Sequence, residues 1–366
     1  MSLLTRLGRR RDERGGVAVT VGVLFSAGVV LGAAALVVDV GQLYVEREQL
    51  QSGADAAALA VARSCALDPA NCTDPMAIAV SYANHNAKDG ASAVTVVCGT
   101  VAGLPACPPE PPGLPACIGT PAAGTTYVDV RTATLQSNGS TLLPPTFARG
   151  IAGNGGYQGK RLTACARVGY KTAVTAITKA VMVPVCEWQQ ATAGGISPPP
   201  SEAPGQAKYE AVFHQHGTGV AAPGCAPPAD TVPGGYDWLP DDASVCHTHV
   251  HVGDTFTAKD TGQAEHDCDH GLTVSRQKQL VLIFALYDSV TKVNGRYTYH
   301  IGGLAPFVVT GFSNINGDQL ASTITGQNYC DTSTSCLYGY FTRELLPTDS
   351  SSTAPSYGAS VVGTIG

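Results

Sequence analysis

Charge is in short supply in this chain. Of its 366 residues, 14% are Asp, Glu, Lys or Arg, 22 basic against 28 acidic, giving a net charge of -6. Beyond the N-terminus there is no basic cluster, which excludes nucleic acid as a partner, because that recognition needs a concentrated field of Lys and Arg. Catalytic signatures are missing too: there is no HExxH, no GxSxG, no P-loop and no GxGxxG running into a helix. These absences remove the zincins, the α/β-hydrolases, the P-loop nucleotide hydrolases and the dinucleotide-binding enzymes. No enzyme and no cofactor is expected.

What is abundant is glycine, with 42 residues, and proline, with 24. Low charge with much Gly, Thr, Ser and Val fits an exported β-rich protein better than a cytosolic enzyme. The length suffices for two modest domains, each with its own core. The 12 cysteines are even in number and all lie beyond Arg63. In an oxidising compartment they make up to six disulfides. Short separations favour Cys65 with Cys72, Cys246 with Cys268, and Cys330 with Cys336. Pairing of Cys98, Cys107, Cys117, Cys165, Cys186 and Cys225 stays open.

The chain is organised around Val17 to Arg63. Val17 to Val38 contains no Lys, Arg, Asp or Glu, and 22 residues of helix rise roughly 33 Å, enough for one membrane crossing. Asp39 closes the apolar run, and the pattern continues without proline into a water-exposed helical stalk. Arg6, Arg9, Arg10, Arg11 and Arg14 precede the run, which keeps the N-terminus cytoplasmic and puts the bulk outside. A cleaved signal ending near Ala33-Ala34-Ala35 is the competing reading; an intact anchor in membrane lipid is the favoured one. In the stalk, Leu43, Leu50, Ala54, Ala57, Ala58 and Val61 recur at helical spacing and form one packing stripe, with Asp55 inside its narrow small-residue block.

Asp74-Pro75 opens a short helix. Val94–Cys98 and Thr126–Arg131 read as strands, Thr146–Gly153 as a helical turn, and 162–170 and 174–185 as further strand material. Residues 191–207 are a Pro/Gly linker by composition. Short strands at 209–214, 248–252, 279–286, 297–301 and 306–312, with turns at Asn294-Gly295 and Asn316-Gly317, make an all-β unit with no helix between them. Beyond Leu346 a Ser/Thr/Gly tail is expected to be loose.

Histidine is the one concentrated chemistry. His247, His249 and His251 fall on one face of a strand, because side chains alternate, and His266 and His270 follow. Imidazoles with carboxylates nearby suit zinc or copper. The blander reading, histidines solvated beside a disulfide, is preferred, as is a turn of solvated acids for Asp237, Asp241 and Asp242 near Trp238 over a carbohydrate site.

Arg14-Gly15-Gly16 before the apolar run, Val38-Asp39-Val40-Gly41 at its close, Leu50-Gln51, and the Ala-rich block around Asp55 resemble the N-terminal segment of TadE/TadG-like proteins of the tight-adherence (Tad, Flp pilus) assembly family. Looser likeness continues at Ser81–Asn84, Phe147–Gly153, Pro184–Trp188, Pro233 onward and Tyr299 onward, the last two resembling actinobacterial members. The resemblance implies a single-pass envelope protein that contacts other pilus or secretion components through its N-terminal helix, and a homo-oligomer is compatible with it. Prepilin-like members carry a glutamate five residues after the processed glycine; here Thr20 or Val21 stands there, so the helix is expected to stay intact. The von Willebrand A-type domain of larger members is not expected.

The expected fold is α+β: a long N-terminal transmembrane and stalk helix packed on a pilin-like antiparallel sheet, followed by a second, mainly β extracytoplasmic domain. Its divisions are a leader at 1–16, the membrane helix at 17–38, the stalk at 39–64, the pilin-like domain at 65–190, the linker at 191–208, a disulfide-linked β domain at 209–347 and a tail at 348–366. A surface adhesin carried by the second domain, and an exported metal-binding protein or hydrolase using the histidines, are the alternatives.

Overall fold

The apolar N-terminal run folds as two helices, not one. Helix α1 spans Arg14–Ser26 and α2 spans Val29–Leu67. Between them Gly28 takes φ +70, a conformation that costs glycine nothing and other residues much. Its N–H donates to the Phe25 carbonyl and its own carbonyl accepts from Gly32, so the chain turns and restarts. Among the described residues no helix is long and apolar enough to cross a membrane. This computed structural model describes residues 14–26, 28–67, 72, 74–101, 103–109, 121, 125–147, 158–194, 209–215, 225, 234–240, 246–257, 268–293, 296–351 and 353–365.

The remaining elements, in chain order, are α3 (Pro75–His85), β1 (Ser92–Gly99), β2 (Thr126–Thr134), β3 (Thr163–Ala173), β4 (Thr175–Lys179), β5 (Val181–Pro184), α4 (Val185–Ala191), β6 (Ala211–His214), β7 (Asp237–Trp238) and β8 (His247–His251). Then come β9 (Thr255–Thr257), α5 (Cys268–Lys278), β10 (Val281–Val293), β11 (Arg296–Ile315), β12 (Asp318–Leu320), β13 (Cys336–Phe341), β14 (Glu344–Leu345), β15 (Ser350–Ser351) and β16 (Ala359–Thr364). Helix α3 starts as its sequence suggests, with the Asp74 carboxylate accepting from the Ala77 N–H at 2.9 Å and proline in its first turn.

Two sheets share the chain. The first has the order β1-β2-β3-β16-β14, with β15 also on β3. The β1–β2, β2–β3 and β3–β16 pairs are antiparallel, and β14 joins β16 in parallel. Helix α2 lies on it: Ala54, Ala57, Ala58, Val61 and Ala62 pack against Val97, Val128, Val130, Ala166 and Val168. On the other face a buried Arg167 grips Asp129 with two hydrogen bonds, 2.5 and 2.7 Å, and stacks its guanidinium 4.4 Å over the Tyr127 ring. Such a buried pair is tolerated because both partners satisfy each other.

The second sheet has the order β6-β13-β11-β10-β5-β7, with β9 and β12 also on β11. Its core is aromatic. Phe307 stacks on Phe284 at 4.7 Å and meets Phe341 edge-on at 5.0 Å, and Phe213 and Trp188 complete the cluster. A separate two-stranded ribbon pairs β4 with β8.

Several features depart from the sequence reading. Residues 181–191 belong with the second sheet, since β5 pairs in parallel with β10 and Trp188 sits in the second core, while β4 goes to the ribbon with β8. The segment expected to be a loose tail instead supplies β16, paired with β3 from Ser360–Thr172 to Thr364–Val168. A helix, α5, interrupts the unit read as all-β and packs on β11. The strands expected at 297–301 and 306–312 are one strand of 20 residues. The helical turn and linker expected at Thr146–Gly153 and 191–207 lie largely outside the described residues, as does the Asn294-Gly295 turn. Asn316 and Gly317 do form a turn, both with positive φ.

Disulfides join Cys65–Cys72, Cys98–Cys107, Cys186–Cys225, Cys246–Cys268 and Cys330–Cys336. Cys165 is disulfide-bonded as well, and no described cysteine is free.

Candidate functional site: the two faces of the long helix

Helix α2 changes character along its length. From Leu50 onward one face is sealed: Leu50, Ala54, Ala57, Ala58, Val61 and Ala62 are buried at three- and four-residue spacing, the period of a helix stripe. Leu43 and Asp55 are half-buried at its margins. Gly53 marks the closest approach, where an added Cβ would lie 3.3 Å from the Ala83 backbone of α3. A larger side chain there would push α3 away.

Before Asp39 the helices have almost no cover. Val17, Val19, Val23, Phe25, Val29, Leu36 and Val37 are each more than half exposed, reaching 70% at Val37. In the same stretch Val21, Val30 and Val38 are exposed too. Water tolerates isolated apolar side chains, but a continuous array of this kind marks a surface meant for lipid or protein.

Asp39 is the boundary. It is itself buried, and its carboxylate accepts hydrogen bonds from the backbone N–H groups of Thr146 at 2.8 Å and Phe147 at 3.0 Å. Gln42 accepts from the Thr146 hydroxyl at 2.8 Å. Further up, Gln49 accepts from the Lys88 N–H, and Gln51 donates to the Cys165 carbonyl and to Asp55. Thr132 and Tyr170 donate to the helix carbonyls of Leu50 and Ala62. The polar residues of the helix are therefore fasteners that fix its height and rotation on the sheet. Asp39→Ala should leave the 146 and 147 amides unpaired, costing on the order of 2 kcal/mol locally. Hydrogen exchange should show at least tenfold faster exchange at these two amides, with little change in β2 or β3.

A groove of about 750 Å³ runs beside this boundary, between Val38, Val45 and Glu46 of α2 and Lys88, Asp89 and Leu143. Burial pushes the Glu46 carboxyl above its usual range, and Asp89 adds to the effect.

Residues 15–64 match the family model described as "Putative Flp pilus-assembly TadE/G-like". The TadE/G-like segment thus covers α1 and almost all of α2, the bare apolar half and the sheet-packed half together. No curated protein and no solved structure matches the chain.

Other candidates are placed as follows. His247, His249 and His251 lie along β8, with Thr248 and Val250 buried between them. His270 is exposed on α5, and His266 lies outside the described residues. No described group of three ligand side chains within coordinating distance includes any of these histidines. The two groups that do come together, His214 with Cys330 and Cys336, and Asp129 with Cys98 and Cys107, contain bridged cysteines, whose sulfurs are not thiolate ligands. Asp237 is not the solvated turn acid expected from sequence. It is buried and accepts from Tyr299 at 2.6 Å and from the Trp238 N–H at 2.8 Å. Asp241 and Asp242 lie outside the described residues.

Two features escaped the sequence reading. Asp331-Thr-Ser-Thr-Ser335 has the literal D-x-S-x-S spacing of a von Willebrand A-type metal motif. Here it is the inside of the Cys330–Cys336 loop, and Asp331 is occupied by hydrogen bonds from the Ser333 hydroxyl and N–H at 2.6 and 2.9 Å. Those bonds hold its carboxyl below the usual range.

The second is Glu187 on α4, buried in the second core. Burial pushes its pKa up to about 8, opposed only by a hydrogen bond from Gly235. The Gly235 carbonyl accepts from Tyr287 at 2.9 Å, so one glycine links the acid to the tyrosine. Only an adjacent tryptophan and Cys186 flag this glutamate in the sequence.

Proposed function

We propose that the chain is a membrane-anchored structural or assembly component of a Tad-type (Flp) pilus or a related secretion apparatus, not an enzyme. The observation that carries the reading is the TadE/G-like segment with its uncovered apolar half ending at Asp39. In this reading α1 and the first turns of α2 lie in lipid, with the N-terminus cytoplasmic. Together these two stretches supply the apolar length of one bilayer crossing, the turn at Gly28 falling inside it. The sheets then face outside, where their disulfides are stable.

The mechanism is contact. The stalk stands the two sheets at a fixed height above the membrane, with the fasteners from Asp39 to Gln51 setting that height. The groove beside Glu46 offers neighbouring pilus components apolar side chains with Glu46, Asp89 and Lys88 among them.

Non-reducing intact mass of protein extracted from its native membrane tests the reading. The expected mass is that of the uncleaved chain less the hydrogens lost in its disulfides, recovered only with detergent. A mass beginning near Leu36, found in the soluble fraction, would overturn the anchor and with it the assembly role.

A further inference from the structure

The outward face of β8 carries chemistry that an assembly role leaves unused. Thr248 and Val250 point inward and are buried, while His249 and His251 are exposed and His247 is half-exposed. Same-face neighbours on a strand stand about 6.6 Å apart. Two imidazole nitrogens at right angles on a metal at about 2.1 Å are about 3 Å apart. Imidazoles bridge that difference by leaning together, with no movement of the backbone.

The backbone itself is held firmly. All five residues of β8 pair with β4, from His247–Lys179 to His251–Thr175. Cys246, just before it, is bridged to Cys268. Thr248 donates to the Pro240 carbonyl and accepts from Thr178 through its own carbonyl. The His251 N–H is fixed by the Asp254 carboxylate at 2.7 Å.

Openness and neighbours decide which pair is used. Lys179 stands opposite His247, and its ammonium lies over α5, where a Cβ on Gly271 would come 2.8 Å from Nζ. Lys179 is buried and His247 beside it is only half-exposed, so the His247 end of the strand is the less open one. Opposite His249 and His251 stand Ile177 and Thr175, both uncharged.

We propose that His249 and His251 form a surface chelate for a divalent transition metal, copper(II) ahead of nickel or zinc, with water filling the remaining positions. Imidazole donors on an open, planar-tolerant site favour copper(II), which also stands highest in the divalent affinity order. No described cysteine is a free thiol that would reduce or capture it. His249 already takes part in another interaction, which the metal replaces.

The test is titration of the untagged, full-length protein with copper(II), followed by electron paramagnetic resonance. The expected result is a site of unit stoichiometry with nitrogen superhyperfine splitting. Apparent affinity should fall at least tenfold in His249→Ala and in His251→Ala, and less than twofold in His300→Ala. Circular dichroism should be unchanged in all three variants, since His249 and His251 are exposed and the His300 ring, paired with Asp288, is itself partly exposed. Equal affinity in the wild type and the His249→Ala/His251→Ala variant would overturn the chelate, as would a copper signal lacking imidazole nitrogen.

Discussion

Replacing Glu187 by Gln is expected to remove a steep loss of stability between about pH 4.5 and pH 8. At pH 8 the variant should exceed the wild type by on the order of 4 kcal/mol. Burial raises the folded-state pKa of this carboxyl from 4.5 to about 8. Below pH 4.5 both folded and unfolded chains hold the proton, and the group has no effect on the balance. As pH rises the unfolded chain releases the proton while the folded chain retains it, so unfolding becomes progressively easier until the folded carboxyl also ionises near pH 8. Glutamine keeps the shape and the acceptor for Gly235 but cannot ionise. Guanidinium midpoints at pH 5, 6.5 and 8 would show this. The only 2 tryptophans are Trp188, adjacent to Glu187, and Trp238, adjacent to Asp237, so intrinsic fluorescence reads the right region. Parallel pH profiles for the two proteins would show that Glu187 is ionised in the fold.

Ala57→Arg is expected to destroy the docking of α2. Ala57 has no exposure and sits in the middle of the helix–sheet contact. An arginine there adds volume to a filled site and buries a cation with no partner, either of which costs several kcal/mol. The first sheet should lose hydrogen-exchange protection, the protein should become protease-sensitive between residues 65 and 173, and, under the assembly role proposed above, piliation should fail. The second sheet, with its separate aromatic core, should retain its near-ultraviolet dichroism. Normal piliation by this variant would remove the packing role assigned to the stalk.

The legible parts of the fold were those written locally. The stripe Leu50, Ala54, Ala57, Ala58 is visible as spacing, Asp74-Pro75 announces α3, and the β-branched runs of β1 and β2 stand alone as strands. The break at Gly28 was not legible, because a glycine within an apolar run is compatible with an unbroken helix. Helix α5 reads Cys-Asp-His-Gly-Leu-Thr-Val-Ser-Arg-Gln-Lys, with few apolar residues and a glycine at its fourth position; packing on β11 makes it a helix. Gly302, Gly303 and Pro306 look like strand ends, yet their places are dictated by neighbours: a Cβ at Gly303 would strike Tyr357 at 2.1 Å. The parallel β5–β10 pairing and the return of β16 are long-range decisions that no short window records. For the site, composition signalled the apolar half of the helix, but the fastening partners of Asp39 could not be named because they lie more than 100 positions away.

That return strand sets a timetable. β3 needs β16 on its open side, and the Thr172 hydroxyl donates to the Ala354 carbonyl across 182 positions. The whole second sheet must be synthesised before the first can close. Until then α2 rests on a three-stranded sheet with a bare edge at β3, a natural template for pairing with any strand that arrives first. Non-local pairing of this kind forms slowly. A chaperone or an early partner that guards the β3 edge would therefore act before β16 arrives, and a tag fused close after β16 would interfere with maturation of residues far upstream in the chain.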